Sequence, residues 1–169
     1  MRATFAALSV AALVATPAFA ADWRPDCLSL PIAAPFTVNA IFGQRTEFLV
    51  KHDGIDFGIL PGRRLRAMAG GTVTFAGRDF AGTNVVSVRT GAGRFYVLMH
   101  LRRVDVRVGQ RVRRGQVLGL SGGAVGAPGS GPYTTGPHVH VGVADTHGRL
   151  IDPADTFCLP KPTNQSPSR

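Results

Sequence analysis

Turn-forming residues interrupt this chain so often that long helices have no room in it. Pro-Gly stands at 61–62, Gly-Gly at 70–71 and 122–123, and Gly-Ala-Gly at 91–93. Glycine reaches backbone angles that other residues avoid, and proline presets one, so each site favours a tight turn. Beyond the apolar opening, no window of eighteen residues shows a helical hydrophobic period. The segments between the turns are short and β-type, with candidate strands at 71–76, 84–89, 95–101 and 138–143. With 21 Gly and 12 Pro in 169 residues, the expected fold class is all-β.

Residues 1–20 read as a removed leader. Met1-Arg2 supplies a positive start, an apolar run follows to Thr16, and Pro17 precedes Ala18-Phe19-Ala20, a small-x-small cleavage pattern. The run is short and lacks a basic stop-transfer patch, so no transmembrane anchor is expected after leader removal. The expected location is periplasmic or secreted. Residues 21–35 carry Pro25, Pro31 and Pro35 without a period and read as an extended lead-in. Residues 36–159 form the expected domain, and residues 160–169, with no apolar side chain to bury beyond prolines, an expected disordered tail.

A mature chain of about 150 residues buries a real core, yet is too short for a doubly wound enzyme with a second substrate domain. Charged residues at 17% and hydrophobic ones at 44% exclude wholesale disorder. Two cysteines exclude a disulfide-dense miniprotein and a Cys-rich zinc ribbon. In an exported protein Cys27 and Cys158 can bond, which would tie the two ends of the domain together. The net charge of +9 describes a basic surface. Sparse aromatics and the absence of a basic helix speak against a nucleic-acid partner.

Five histidines carry the chemistry that can be read locally: His52, His100, His138, His140 and His147. In a strand over 138–143, side chains alternate faces, so His138, His140 and Gly142 share one face and Val139, Val141 and Val143 line the other. In His52-Asp53-Gly54-Ile55-Asp56 an extended backbone puts His52 and Asp56 on one face, with Gly54 leaving room between them. His nitrogen and carboxylate oxygen are ordinary zinc donors, though a solvated His and Asp would read the same way alone. His100 closes the apolar segment 95–101, a place where a structural histidine also fits, and His147 reads as a solvated turn residue. Residues 121–136 hold a long glycine-rich loop just before the His138 strand, expected to be a flexible wall or lid.

The order of these pieces resembles the M23 peptidase family, the LytM- or lysostaphin-like zinc endopeptidases of bacterial cell-wall peptides. Phe42-Gly43-Gln44-Arg45 is similar to the family's F-G-x-R entry, and His52-Asp53-Gly54-Ile55-Asp56 to its H-x-G-x-D block. Residues 108–119 are similar to its V-G-x-x-V-x-x-G-x-x-I-G stretch, Gly136-Pro137-His138-Val139-His140 to its G-P-H-x-H block, and Asp152-Pro153 to its closing pair. The resemblance implies antiparallel sheets forming a groove floored by one Zn2+. His52, Asp56 and His140 would be metal ligands, and His100 and His138 catalytic. It implies peptidoglycan peptides as partners, and a monomer is expected.

All five positions are retained, which favours an enzyme over a non-hydrolytic envelope activator or binding protein of the same type. Two departures stand out. Leu98 replaces a frequent aromatic two residues before His100, putting a contact to substrate or histidine in doubt, and the 121–136 loop is long. The chain lacks H-E-x-x-H, so His100 and His138 are the available acid–base groups, without a decision as to which is the base. The 108–119 stretch also looks like part of a biotinyl or lipoyl domain. Those domains need a lysine in a hairpin turn, and lysine occurs only at Lys51 and Lys161. The stretch is therefore expected to report strand and turn geometry.

Overall fold

The computed structural model describes residues 26–158. The expected leader (1–20), the start of the lead-in (21–25) and the expected tail (160–169) lie outside the described residues. Within them the strands are β1 (Thr37–Ala40), β2 (Gly54–Gly58), β3 (Arg64–Arg66), β4 (Gly71–Arg78), β5 (Asn84–Thr90) and β6 (Phe95–Met99). Then come β7 (Leu101–Val104), β8 (Arg111–Val112), β9 (Val117–Ser121), β10 (His138–Ala144), β11 (Leu150–Ile151) and a 3-10 turn at Pro153–Thr156. The all-β expectation holds. No helix among the described residues is long and apolar enough to cross a membrane.

Strands β1-β2-β10-β6-β5-β4-β8 form one antiparallel sheet, with β11 attached to β10, and β3-β9-β7 form a second. The two sheets share a core because their strands alternate. Ile55, Phe57, Tyr96, Leu98, Val139, Val141 and Val143 of the large sheet join Leu65, Leu101 and Leu118 of the small one in a single buried cluster. The residues between them along β2 and β10 point to the other face of the large sheet.

Three of the four candidate strands match β4, β5 and β10 to within two residues at each end. The fourth, 95–101, is broken. His100 has φ 63°, and this left-handed residue ends β6 in the large sheet and starts β7 in the small one. A non-glycine residue is uncommon there, and about 1 kcal/mol or more of local strain is its usual cost. The 108–119 stretch is turn and strand, as expected, with Gly109 (φ 82°) and Gly115 (φ 80°) supplying the left-handed turn positions. Leu98 faces the core and is fully buried, so that position offers nothing to a substrate.

The described part of the lead-in belongs to the core. Leu28 and Ile32 are buried, Leu28 bridges to Phe157, and Cys27 is disulfide-bonded to Cys158 across a sequence separation of 131. Arg114 holds this corner from the side, donating through Nη2 to Cys27 O (2.8 Å) and through Nη1 to Ser29 Oγ (2.8 Å) and Met68 O (2.9 Å). Cross-linking a loop of this length removes much of the unfolded chain's freedom. Replacing both cysteines with serine is expected to lower the unfolding free energy by about 3–5 kcal/mol, read by urea denaturation. An unchanged denaturation midpoint would contradict the tie.

Candidate metal centre and groove

Two neighbouring strands build the floor. β2 and β10 pair so that His140 stands opposite Asp56 and His138 opposite Gly58. Ile55, Phe57, Val139 and Val141 take the core side, so Asp56, His138 and His140 share the outer side. His52 sits just before β2 and is held by the 41–44 turn. Its backbone N–H donates to Gln44 O (2.8 Å), its carbonyl accepts from Gly43 N (2.8 Å), and its Nδ1 lies 3.1 Å from Ile41 O.

Donation from Nδ1 to Ile41 O leaves a lone pair on His52 Nε2. That atom lies 3.1 Å from His140 Nδ1 and 3.3 Å from Asp56 Oδ1, and His140 Nδ1 lies 2.9 Å from Asp56 Oδ1. A tetrahedral zinc with ligands at about 2.0–2.2 Å would separate its donors by about 3.3–3.6 Å. The triangle is slightly tighter than that, and its nitrogen and oxygen donors are of the right chemistry. Asp53 approaches the far side of the same ring, with Oδ1 3.5 Å from His140 Nε2. The donor atoms of His52, Asp53 and His140 also fall within 4.8 Å of one another. Two carboxylates thus compete for the site, and Asp56 is the closer and the less exposed (18% against 49%).

Burial pushes the Asp56 carboxyl up. The hydrogen bond from His140 and the fields of His140, His138 and His52 outweigh it, and the net pKa is lowered. The carboxylate is therefore ionised near neutrality.

Gly54 is indispensable to this packing. A Cβ there would meet Val141 O and would lie 2.6 Å from His140 Nε2 and Cε1. Gly54→Ala is therefore expected to displace the His140 ring and weaken zinc binding by about 10–100-fold, measured by competition with a chromogenic chelator. Unchanged affinity would show that the ring is not held there.

His100 and His138 stand beside the triangle with ring centroids 4.6 Å apart. The glycine-rich loop orients both. Ser130 O lies 2.7 Å from His100 Nδ1 and Gly136 O lies 2.8 Å from His138 Nδ1, so each ring turns its Nε2 toward the cleft. His138 Nε2 is 3.8 Å from Asp56 Oδ1. Burial lowers the His100 pKa to about 4, against a smaller upward pull from the Ser130 hydrogen bond.

The loop does line the cleft, through Tyr133 and Thr135. It is also firmly tied, which its glycine content concealed. Asn84 N donates to Gly129 O (2.8 Å), Thr83 bridges to Gly129 and Ser130, and buried Thr134 donates to Gly123 O (2.6 Å).

The cleft, about 470 Å³, takes its remaining walls from residues that the sequence did not single out. Glu47, Phe48 and Leu49 come from the connection between β1 and β2, and Asp79 and Phe80 from the β4–β5 turn. Phe48 and Tyr133 meet edge to face, centroids 5.9 Å apart, from two different loops. Asp53 is also invisible to the sequence pattern, because strict alternation from His52 points it away from Asp56. His147 is an exposed turn residue beside Asp145, as its sequence suggested.

Comparison with known proteins places this arrangement. The sequence model of peptidase family M23 matches residues 50–153. The chain is 36% identical over 93 residues to the glycyl-glycine endopeptidase ALE-1 of Staphylococcus capitis, covering 53% of this chain and 23% of that protein. It is 35% identical over 129 residues to the DD-carboxypeptidase/endopeptidase Mpg of Neisseria gonorrhoeae, covering 74% and 28% respectively. The chain thus spans about a quarter of the length of these relatives. Among solved structures, an M23 peptidase from Pseudomonas aeruginosa superposes with a TM-score of 0.59 at 32% identity, over 76% of this chain and 49% of that one. The catalytic domain of lysostaphin from Staphylococcus simulans superposes with a TM-score of 0.61 at 25% identity, over 71% and 90%.

Proposed function

Because the chain belongs to peptidase family M23, we propose that it is an exported zinc-dependent endopeptidase hydrolysing peptide bonds in peptidoglycan stem peptides or their cross-links. The observation that carries this reading is the triangle of His52 Nε2, Asp56 Oδ1 and His140 Nδ1, open to a cleft that two further histidines face. These three atoms would hold one zinc ion. When bound, zinc supplies Lewis acidity toward a carbonyl oxygen and acidifies water. With His140 Nδ1 facing the metal position, its Nε2–H points at Asp53, which would fix the ring's tautomer and orientation.

His100 and His138 handle the proton. Their Nδ1–H groups are committed to backbone carbonyls, so only the Nε2 atoms work in the cleft. With ring centroids 4.6 Å apart, the two histidines face the same reacting groups and divide the acid and base roles between them. The unprotonated Nε2 accepts the proton of the attacking water. The protonated one donates to the carbonyl oxygen as charge develops there. All five residues come from one chain, so a monomer suffices. The Cys27–Cys158 disulfide fits an oxidising compartment, periplasmic or extracellular.

Digestion of purified peptidoglycan, with and without a zinc chelator, tests the proposal through mass spectrometry of the released muropeptides. Chelator-sensitive cleavage is expected, with the product masses identifying the bond. A folded protein carrying one zinc per chain that releases nothing would favour the non-hydrolytic activator reading.

A further inference from the structure

Arginines cluster on the small sheet and the turn that leads into it. Residues 59–67 and 101–121 carry nine arginines against a single acid, Asp105, and five of them (Arg63, Arg64, Arg66, Arg102 and Arg103) lie on β3, β7 or the turn before β3. These two stretches contain all three strands of the small sheet, β3, β7 and β9. Leu65, Leu101 and Leu118 point into the core, while Arg64, Arg66, Arg102 and Arg103 are exposed. Arg64 and Arg103 both pair in register with Leu120 of β9 and so flank it, each about 5 Å away in the strand-pairing direction.

The turn before β3 adds to the cluster. A Cβ at Gly62 would lie 4.0 Å from Arg102 Nη1, and Arg63, Arg64 and Arg66 line a shallow hollow with Ile59. Among the described residues Arg63, Arg64, Arg66 and Arg102 make no ion pair, and Arg103 pairs with Asp105 at 2.6 Å. Gathering like charges without counter-charges opposes folding, and leaves them available to an anionic surface. The cations are guanidinium groups, which match phosphate oxygens in a two-pronged fashion.

This face lies on the far side of the molecule from the cleft. The small sheet packs on the Val139 and Val141 side of β10, and the cleft opens on the His138 and His140 side. The cleft lining is of opposite sign, with Glu47, Asp53, Asp56 and Asp79 and no lysine or arginine among the described residues.

We propose that the arginine face of the small sheet docks the protein on an anionic phospholipid bilayer, with the cleft turned away from the membrane. Two apolar side chains favour a bilayer over a soluble polyanion. Leu60, in the turn leading to Arg63, is 72% exposed, and Leu120 lies partly exposed between Arg64 and Arg103. Apolar groups among surface cations gain by entering the headgroup–acyl boundary and gain nothing from a polyanion in water. The inference stands on charge and topology and does not depend on the proposed hydrolysis.

The test is co-sedimentation of the chain beginning at Ala21 with vesicles of phosphatidylglycerol and phosphatidylcholine, against vesicles of phosphatidylcholine alone. Binding only to the anionic vesicles, falling with salt, is expected. Replacing Arg63, Arg64, Arg102 and Arg103 with Gln should weaken it by about 600-fold, at about fivefold per cation. A control with the same loss of charge elsewhere (Arg45, Arg78, Arg89 and Arg149 to Gln) should stay within about threefold, the remainder being long-range attraction. Thermal melts confirm that both variants are folded. Equal loss in both variants, no binding to anionic vesicles, or binding to soluble polyphosphate but not to vesicles would each overturn the proposal.

Discussion

Asp56→Ala and His140→Ala should each release the zinc ion and reduce peptidoglycan hydrolysis by at least about a thousandfold. The magnitude follows from what the three donors do together. His52 Nε2, Asp56 Oδ1 and His140 Nδ1 lie within 3.3 Å of one another, so removing one leaves two donors and an open side. The informative comparison is between the two carboxylates. Asp53→Asn is expected to keep one zinc per chain and to weaken its binding only about 10–100-fold, as loss of a group that orients a ligand does. Asp56→Asn should lose the ion outright. Metal content by plasma mass spectrometry after dialysis decides the matter. Zinc retained in Asp56→Asn and lost in Asp53→Asn would reverse the ligand assignment while leaving the site where it is.

His100→Ala and His138→Ala should behave in the opposite way. Each is expected to keep its zinc and lower kcat by about 10²–10⁴-fold, the usual contribution of a positioned acid or base. Neither ring points its Nε2 at a backbone group, and both Nδ1 atoms are spent on the glycine-rich loop, so their work is in the cleft. Because the two adjacent rings would act on one reaction as a unit, the losses should not add. The double variant is expected to fall little further than the worse single one. A variant with full turnover would remove its histidine from the mechanism. A variant that loses zinc would make it a ligand or a packing residue instead.

The legibility of this site in the sequence was uneven, for physical reasons. Strand periodicity is exactly local. From His138-Val139-His140 alone, two imidazoles share a face and valine takes the other, and the structure has them so. The pairing of Asp56 with His140 is a different matter. It depends on the register between β2 and β10, 84 residues apart, which no local pattern states. In the sequence His100 is the end of an apolar strand, but its left-handed backbone appears only where the chain passes from one sheet to the other. The 121–136 loop carried a misleading signal. Its glycines suggested pliancy, and its ties through Thr83, Asn84 and Thr134 come from partners that composition does not reveal.

The sequence by itself determined that the chain is all-β, that the family's five motif positions occur in order, and that its two cysteines stand at opposite ends of the domain. Those properties rest on side-chain alternation, turn residues and motif order, all of which are written within a few positions. Only the tertiary structure decided the rest. Asp53 sits behind His140, Phe48 meets Tyr133 over the cleft, two backbone carbonyls aim the His100 and His138 rings, and five arginines gather on the small sheet. Each of these depends on which residues, tens of positions apart, strand pairing and loop closure bring within a few ångströms.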